Sequence, residues 1–337
     1  MITLAIDAMS GDTGPEACVP GAIAALQADA NLRVLLVGQP PVLERLLARD
    51  RRAAQLRGRW ELVAAAEVVA MDDKPREAIR RRKHSSMRIA IDLVKDGRAA
   101  GAVSAGNTGA LTAIAHFVLK CLPNIERAPI ISAIPAAHGL TYMLDLGANT
   151  HATAEQLRQF AVMGAIVARD VHGIERPRVG LLNIGTEEIK GHEVVQLAHA
   201  LLRSSNADLN YVGFVEGHDI FRGTVDVVVT DGFTGNVALK SMEGVAQLIA
   251  NLMRREFDAG PASRLAGLVA RPVLRRVASR LDPRRYNGAV MVGLTGVVVK
   301  SHGSADALAF ARAIGVAKLA VARGLIQHVA QAGASVG

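Results

Sequence analysis

The stretch AVSAGNTGALTA, residues 102–113, decides the fold, because it reads as a short apolar strand, a polar turn and the start of an Ala-rich helix. The turn consists of Gly106, Asn107, Thr108 and Gly109. Residues of these types leave backbone N–H groups and a hydroxyl directed at one place, where the positive end of the following helix also acts. The turn therefore either binds an anion or only caps the helix, and one turn alone leaves both interpretations open.

The same order of strand, turn and helix recurs along the chain. Five runs rich in apolar and β-branched residues read as strands: ITLAID from Ile2, RVLLVG from Arg33, TYMLDLG from Thr141, RVGLLNIG from Arg178 and VDVVVTDG from Val225. A strand pair is also expected within residues 288–303. Strands that alternate with helices predict an α/β fold with a mostly parallel sheet. Since no composition shift marks a boundary, we predict a single domain over residues 1–337.

Polar turns follow nearly every predicted strand. They read DAMSGD at residues 7–12, SAGNTG at 104–109, DLGANT at 145–150, NIGTEE at 183–188 and DGFTGN at 231–236. In an open parallel sheet the carboxyl ends of the strands lie along one edge, which is where ligands bind. Helix capping explains each turn by itself, but five such turns favour one polar cleft rich in N–H groups.

The expected ligand of this cleft is a small free anion. The sequence contains neither GxGxxG after a strand nor GxxxxGK[ST], the usual fingerprints of dinucleotide and nucleoside triphosphate sites. It also contains no HExxH pattern or compact acidic cluster, so we predict no metal site and no cofactor. Lys190 in TEEIKG and His302 in KSHGS are candidates for a positive charge and a proton carrier, although each has a surface or structural role as its alternative.

Composition indicates an ordinary globular protein of a reducing compartment. The chain has 337 residues, 50% of them hydrophobic, which is enough to bury a large core without disulfides or metals. Its two cysteines, Cys18 and Cys121, have no paired spacing. The N-terminal segment meets the acid Asp7 too early for a signal peptide, and no apolar run reaches the ~20 residues of a membrane span. We therefore predict a cytoplasmic location.

The formal charge of +8 is concentrated in two segments, residues 74–88 and 261–285. Each segment holds seven basic residues and one acidic residue, a net charge of +6, so the rest of the chain is net acidic. Aromatic residues make up only 3% of the chain, which leaves few platforms for stacking bases and argues against nucleic acid. An acidic protein or an anionic membrane surface fits the two segments better.

The second basic segment belongs to an insertion at about residues 258–285, between a helix that starts near Asn236 and the strand pair. Pro272 is expected to break or kink any helix there and to leave two short pieces. In the second piece the apolar side chains fall on one face and the arginines on the other: Val273, Leu274, Val277 and Leu281 against Arg275, Arg276 and Arg280. This amphipathic helix either docks on the protein's own core or contacts anionic lipid or a partner.

Seven motifs, in order along almost the whole chain, resemble those of PlsX, the bacterial phosphate acyltransferase family. They are DAMSGD at Asp7, KPREAIRRRKHSSM at Lys74, SAGNTGAL at Ser104, LDLGAN at Leu144, LLNIGTEEIKG at Leu181, DVVVTDGFTGNVALK at Asp226 and VVKSHGSAD at Val298. Two positions depart from the family pattern. Ser10 replaces a usual Gly, and Phe214 replaces a usual Asn, which puts any polar role at that position in doubt.

The resemblance implies an enzyme that transfers a fatty acyl group from acyl carrier protein to inorganic phosphate and so supplies acyl phosphate to phospholipid synthesis. It implies a homodimer with a three-layer α/β/α fold, similar to phosphotransacetylases and isocitrate dehydrogenase-like enzymes, without metal or nucleotide. It also implies that a membrane-bound glycerol-3-phosphate acyltransferase takes the product. On this interpretation the two basic segments meet carrier protein and the inner face of the cell membrane, where the enzyme associates peripherally.

We predict that bound phosphate attacks the thioester directly, because phosphate already carries the attacking oxygen and no enzyme nucleophile is needed. Lys190 and His302 are expected to stabilise the oxyanion of the tetrahedral intermediate, and Asp231 completes the predicted catalytic set. The predicted phosphate- and substrate-binding residues come from the five turns: Asp7, Ser104, Gly106, Asn107, Thr108, Asn149, Asn183, Thr186, Thr234 and Asn236.

Three alternatives stay open at this point. The first is a phosphotransacetylase-like enzyme that uses coenzyme A thioesters. The second is a dehydrogenase of the related fold, and the third is a non-catalytic adaptor for carrier protein or membrane. The dehydrogenase is disfavoured because the sequence has no acidic metal cluster. The adaptor is disfavoured because it has no need for five polar turns.

Overall fold

The computed structural model describes residues 1–204 and 209–336 of the chain, and eleven strands of this described part pair into one sheet. The strands are β1 Ile2–Asp7, β2 Leu32–Gly38, β3 Trp60–Ala64, β4 Gly101–Ser104, β5 Ile130–Pro135, β6 Leu140–Leu144, β7 Val179–Leu182, β8 Tyr211–Val215, β9 Val227–Val229, β10 Ala289–Met291 and β11 Val297–Lys300. Their order across the sheet is β3-β2-β1-β4-β11-β10-β5-β6-β9-β7-β8.

Helices connect most of these strands. They are α1 Pro15–Ala28, α2 Pro40–Arg49, α3 Arg51–Gln55, α4 Pro75–Arg81, α5 Ser86–Lys95, α6 Thr108–Leu119, α7 Ala154–Asp170, α8 Glu193–Ser204, α9 Asp219–Arg222, α10 Gly232–Asp258, α11 Pro261–Leu281, α12 Ala307–Ala322 and α13 Leu325–Val336. A short 3₁₀ turn, Pro283–Tyr286, follows α11.

The predicted strands are confirmed. The stretch at residues 102–113 forms the end of β4, a turn and the first half of α6, as its residue types indicate. The pair expected within residues 288–303 is the antiparallel pair of β10 and β11. Each of the five predicted runs contains a strand, although the structure places the strand ends up to a few residues away from the motif boundaries.

Helices cover both faces of the sheet, which gives three layers. Along β1, Leu4 and Ile6 belong to one buried apolar cluster, and Ala5 between them belongs to the other. The same alternation appears in β9, where Val228 faces away from its two neighbours. Because successive side chains of a strand point to opposite faces, both faces of the sheet must be packed. The predicted α/β fold with a mostly parallel sheet is confirmed.

The strands do not all run in the same direction. Those from β3 to β11 in the sheet order are parallel to one another, and so are those from β6 to β8. Between the two sets, β10 is antiparallel to β11 and to β5, and β5 is antiparallel to β6. Because there are three reversals, the strands of the second set run antiparallel to those of the first. The carboxyl ends of β1 and β4 therefore lie at the opposite edge of the sheet from those of β6 and β9.

The predicted insertion at about residues 258–285 consists mainly of α11, which forms a helical hairpin with the second half of α10. The expectation that Pro272 divides the second segment is wrong, because α11 runs through this residue. A proline leaves the carbonyl four residues earlier without its N–H partner. That carbonyl belongs to Leu268, whose side chain is 62% exposed, so water can take the place of the missing partner. The preceding helix also begins earlier than expected, at Gly232.

Candidate active site

Three turns meet where β1, β4 and β11 end, and we call residues 7–12, 104–109 and 300–304 the first turn cluster. The N–H of Asp12 donates to the carbonyl of Gly303 over 2.8 Å, and the N–H of Ser301 donates to the carbonyl of Ser104 over 2.8 Å. Gly11 has a φ of 92°, and a Cβ there would lie 2.9 Å from the Gly303 oxygen. The turns therefore bind one another directly, and their close approach requires glycine at this position.

Two of the predicted binding residues are the buried first residues of turns in this cluster. Asp7 and Ser104 are buried, and the Ser104 hydroxyl donates to Asp7 Oδ2 over 2.6 Å. The same hydroxyl oxygen accepts the N–H of Gly106 over 3.1 Å. Burial raises the pKa of Asp7, and its other oxygen, Oδ1, has no hydrogen-bond partner within the described residues. The bonds of Asp7 and Ser104 therefore fix the shape of the turn at residues 104–109.

Asn107 caps α6 and ties it to the first basic segment. Its Oδ1 accepts the N–H of Ala110 over 2.9 Å, and its Nδ2 donates to the carbonyl of Met71 over 2.6 Å. The N–H groups of Ala110 and Leu111 thus both bond to Asn107, and those of Thr108 and Gly109 are left without intrahelical acceptors. Because Met71 shortly precedes α4, the basic residues from Lys74 onward lie next to the first turn cluster.

The remaining three turns form a second turn cluster, residues 145–150, 183–190 and 231–236, after β6, β7 and β9. The N–H of Gly232 donates to the carbonyl of Asn149 over 2.8 Å, and the Asn149 side chain donates to Asp145 over 3.0 Å. A Cβ at Gly147 would lie 3.4 Å from the Cβ of Asn236. The turns after β6 and β9 are therefore packed together, with Asn149 and Asn236 between them.

Asp231 and Thr234 form the N-terminal cap of α10. One oxygen of Asp231 accepts the N–H of Thr234 over 2.9 Å, and the other accepts its hydroxyl over 2.8 Å. Both oxygens of this predicted catalytic carboxylate are therefore engaged by one neighbour. In the structure Asp231 therefore caps the first turn of α10.

Lys190 lies on an exposed loop of the second turn cluster together with Thr186. Asn183 Nδ2 donates to the backbone carbonyl of Lys190 over 3.1 Å, and Asn183 Oδ1 accepts the N–H of Ile184 over 2.9 Å. The predicted binding residue Asn183 thus uses both ends of its amide to fix the loop. The Lys190 side chain itself is exposed to solvent.

The expectation that all five turns line one edge of the sheet is wrong. The first turn cluster follows strands of one direction, and the second follows strands of the other. His302 therefore belongs to the first turn cluster and Lys190 to the second. The sequence gives the turn at each strand end, but the strand directions depend on pairing between distant segments.

Helix α10 links the two clusters. It begins at the second turn cluster, and its residue Glu243 places Oε1 3.5 Å from Nε2 of His302 in the first. Twelve residues of helix separate Asp231 from Glu243, which corresponds to about 18 Å. Lys240, one turn earlier, lies 3.3 Å from the other oxygen of Glu243. The hydrogen bond from His302 lowers the pKa of Glu243, which favours the carboxylate.

The ring of His302 is oriented by its own turn. The N–H of Ser304 donates to Nδ1 over 3.2 Å, so Nδ1 is an acceptor. In the neutral ring the proton then lies on Nε2, the atom that faces Glu243. His302 can therefore present an N–H donor beside the carboxylate.

Sequence analysis missed Lys300 and Glu243. Lys300 ends β11 and is only 9% exposed, and its Nζ donates to the carbonyls of Ala105, over 3.4 Å, and Ser301. Burial lowers the pKa of Lys300 to about 8. A signal was present, because a lysine directly follows three valines of a buried strand. No such signal in the sequence marks Glu243, because it meets His302 only through the path of α10 in the folded protein.

Phe214 lies in the core rather than in either cluster. Its ring stacks on that of His199, with ring centroids 4.2 Å apart, and the residue is 8% exposed. Its position on β8 therefore has an apolar packing role. In the described residues, no group of three or more potential ligands is arranged to hold a metal ion, and both cysteines are free.

Comparison with known proteins gives the family. The model of the family "Fatty acid synthesis protein" matches residues 2–328. The phosphate acyltransferase of Methylococcus capsulatus is 56% identical over 317 residues, which cover 94% of this chain and 92% of the relative. That of Bordetella parapertussis is 52% identical over 337 residues, 100% of this chain and 95% of the relative.

Solved structures show the fold at much lower identity. A phosphotransacetylase from Streptococcus pyogenes has a TM-score of 0.63 at 17% identity, covering 95% of this chain and 94% of the other. A 4-hydroxythreonine-4-phosphate dehydrogenase from Klebsiella pneumoniae has a TM-score of 0.52 at 15% identity, covering 94% and 98%. The architecture is thus shared with enzymes of different activities. The match to relatives at more than half identity over nearly the full length shows that the chain belongs to the phosphate acyltransferase family of enzymes.

Proposed function

We propose that this enzyme transfers a fatty acyl group from acyl carrier protein to inorganic phosphate and makes acyl phosphate for phospholipid synthesis. The observation that carries the proposal is the family membership, with phosphate acyltransferases matching almost end to end. The first turn cluster supports it, because the amide groups at the start of α6 suit a small anion.

The proposed reaction is a direct displacement. An oxygen of bound phosphate forms a bond to the thioester carbonyl carbon, and the carbonyl oxygen becomes the oxyanion of a tetrahedral intermediate. When this intermediate collapses, the C–S bond breaks, and the thiolate of the carrier leaves and takes a proton from water. The enzyme's part is to hold the two substrates together and to place donors at the oxyanion.

His302 remains the proposed donor to the oxyanion. Lys190 belongs to the other turn cluster, about 18 Å away along α10, so we propose that it contacts another part of the acyl donor. His302 offers Nε2–H, which Glu243 orients from α10. Lys190 offers an ammonium on an exposed loop, where its long side chain can reach toward a bound substrate. Asp231 contributes by holding the first turn of α10, which bears Thr234 and Asn236.

The predicted phosphate- and substrate-binding residues also divide between the two clusters, and we propose that those of the first bind phosphate and those of the second contact the rest of the acyl donor. Asn107 and Thr108 begin α6 in the first, where Asp7, Ser104 and Gly106 support the turn. The residues from the second cluster are Asn149, Asn183, Thr186, Thr234 and Asn236. The side-chain amides of Asn107, Asn149 and Asn183 already bond to other groups of the protein, so their proposed contribution is to fix the backbone of their turns.

The proposed partners follow from charge and exposure. Acyl carrier protein is acidic and meets one of the basic segments, and the hairpin of α10 and α11 lies on anionic lipid. From residue 244 to residue 280 no described side chain is buried, so the hairpin does not dock on the protein's own core. In the described part of the chain no helix combines the length and apolar character that crossing a bilayer requires. We further propose a homodimer that delivers its product to a membrane-bound glycerol-3-phosphate acyltransferase.

The test is release of free carrier thiol from acyl-loaded carrier protein, measured with and without inorganic phosphate. The proposal expects release that depends on phosphate, with an acyl phosphate as the other product. A coenzyme A thioester of the same chain length is the matched donor. Faster reaction with coenzyme A favours the phosphotransacetylase-like alternative, and no release with either donor favours the adaptor.

A further inference from the structure

Lys300 is a buried cation for which the protein supplies no ion-pair partner. It is only 9% exposed, and in the described residues no carboxylate oxygen lies within 4.0 Å of its Nζ. Lysine is rarely buried without a partner, because loss of hydration penalises the charged form. A buried ammonium without a bound carboxylate indicates that its counter-ion comes from outside the chain.

The position of Nζ is inside the first turn cluster. It donates to the carbonyls of Ala105 and Ser301, which follow the ends of β4 and β11. An ammonium has three N–H donors, so one donor remains after these two bonds. Ala105 lies three residues before Thr108, where α6 begins and the N–H groups of Thr108 and Gly109 lack intrahelical acceptors.

The other charged groups that face Lys300 are few. Asp7 at the end of β1 and Asp12 in the following turn favour its charged form, and Lys240 of α10 disfavours it. Asp7 is itself fully buried, and its bonds go to serine hydroxyls and its own turn. Neither acid bonds to the ammonium, so both act on it only through space.

We propose that Lys300 binds the phosphate substrate, with its free N–H donor directed to the same anion as the first-turn amides of α6. The inference rests on the proposed function and adds to it the cation that was missing from the first turn cluster. The competing explanation is purely structural: Lys300 offsets the buried charge of Asp7. The two explanations differ in what phosphate does to the protein.

The first measurement is thermal stabilisation of the folded protein by inorganic phosphate, which needs no acyl donor. The variants are Lys300→Met, which removes the charge, and Lys300→Arg, which keeps it, with exposed Lys95→Met as the matched control. We expect phosphate to raise the melting temperature of the wild type, Lys95→Met and Lys300→Arg, and to leave that of Lys300→Met unchanged. A phosphate-dependent increase in Lys300→Met equal to that of the wild type overturns the proposal.

The second measurement is the steady-state dependence on phosphate. In Lys300→Met the KM for phosphate should rise about 10- to 100-fold, as expected for loss of a charge-assisted hydrogen bond, with a smaller change in the KM for the acyl donor. A structural role predicts a lower melting temperature with an unchanged KM for phosphate in the fraction that stays folded. That result also overturns the proposal.

The third measurement compares the wild type with Lys300→Arg and decides the matter if Lys300→Met does not fold. Because its pKa is lowered to about 8, Lys300 is half charged near pH 8 and loses the rest of its charge by about pH 10, so phosphate affinity should fall from pH 8 to pH 10. Lys300→Arg should hold its affinity to higher pH. An affinity that stays constant across this range in the wild type overturns the proposal. Phosphate binding that depends on Lys300, without phosphate-dependent thiol release, would refute the proposed function and leave this inference standing.

Discussion

The hydroxyl of Ser10 joins two turns that lie far apart in the sequence. It accepts the N–H of Ala105 over 2.9 Å and donates to the carbonyl of Asp7 over 3.2 Å. Ser10 is 4% exposed, so neither group can turn to water instead. The family's usual glycine at this position would make neither bond. In this chain the serine therefore strengthens the first turn cluster.

Replacing Ser10 with Ala should lower the free energy of unfolding by about 1–3 kcal/mol, because the buried N–H of Ala105 loses its acceptor. Chemical denaturation followed by circular dichroism measures the change. The control is Ser241→Ala on the exposed face of α10, which should stay within about 0.5 kcal/mol of the wild type. Equal stability of the two variants would show that Ala105 finds another partner.

Replacing Lys190 with Ala should separate chemistry from loop structure. Asn183 bonds to the backbone carbonyl of residue 190, and alanine keeps that carbonyl, so the loop should keep its shape. We expect turnover to fall about 10-fold or more, as for loss of one charged contact to the acyl donor, with the melting temperature unchanged. The thiol-release assay measures the effect, and Lys95→Ala serves as the control. Near-normal turnover would remove Lys190 from the mechanism.

The candidate site was predictable at the level of single turns and no further. Gly, Asn and Thr after an apolar run identified the turns at residues 104–109 and 231–236, because these residue types serve caps and N–H-rich loops in any fold. The pairing of His302 with Glu243 was not predictable, since nothing local in α10 indicates which residue Glu243 will face. Lys300 had a local signal, but its burial depends on the turns that close over it.

At the level of the elements, the strands themselves could be read from the sequence, but their directions could not. Apolar periodicity is local and identifies β1, β6 and β9 whatever their neighbours are. The two antiparallel pairs of β10, with β11 and with the distant β5, leave β5 running in the direction of the first set, and the antiparallel pair of β5 and β6 then reverses the second set. The two turn clusters therefore lie at opposite edges of the sheet because of these antiparallel pairs.

The hairpin of α10 and α11 shows why an amphipathic pattern has two structural outcomes. An apolar stripe on a helix predicts burial, yet the stripe on α11 remains uncovered. Val273 and Val277 of the predicted stripe are 52% and 48% exposed, and Leu265, Leu268 and Val269, earlier in α11, are 64%, 62% and 75% exposed. An uncovered apolar surface flanked by arginines is typical of a membrane-binding segment. The side chain of Leu281, at the end of the predicted stripe, lies outside the described residues.

The double substitution Leu265→Ser and Leu268→Ser should weaken membrane contact without affecting the fold, because both side chains are exposed. Flotation with anionic liposomes measures binding, and we expect the bound fraction to fall severalfold. Leu308→Ser on α12, where the side chain is 51% exposed, is the control and should bind like the wild type. Unchanged flotation of the double variant would count against a membrane role for the hairpin.

Over the whole molecule, charge is divided between two surfaces with different neighbours. The first, residues 74–88, lies beside the first turn cluster, because Asn107 binds the segment that precedes α4. Part of its charge is neutralised, since Arg82 lies 3.4 Å from Asp73 and Arg88 lies 3.0 Å from Asp92. Several cations remain exposed: Lys74, Arg76, Arg80, Arg81 and Lys83. The second surface, on the hairpin, combines arginines with uncovered apolar side chains. The first surface therefore suits a soluble acidic partner, and the second suits lipid.

This division predicts which surface receives the carrier protein. Reversing two charges in Arg80→Glu/Arg81→Glu should lower kcat/KM for acyl carrier protein about 10-fold or more at low salt, mainly through KM, because long-range attraction speeds encounter. Arg275→Glu/Arg276→Glu makes the same charge change on the hairpin and should leave that value near the wild type while weakening binding to anionic liposomes. Added salt should reduce the difference between Arg80→Glu/Arg81→Glu and the wild type, since the ~8–10 Å screening length at moderate salt removes the attraction in both. If the hairpin variant loses carrier activity and the α4 variant keeps it, the two surfaces have the opposite partners.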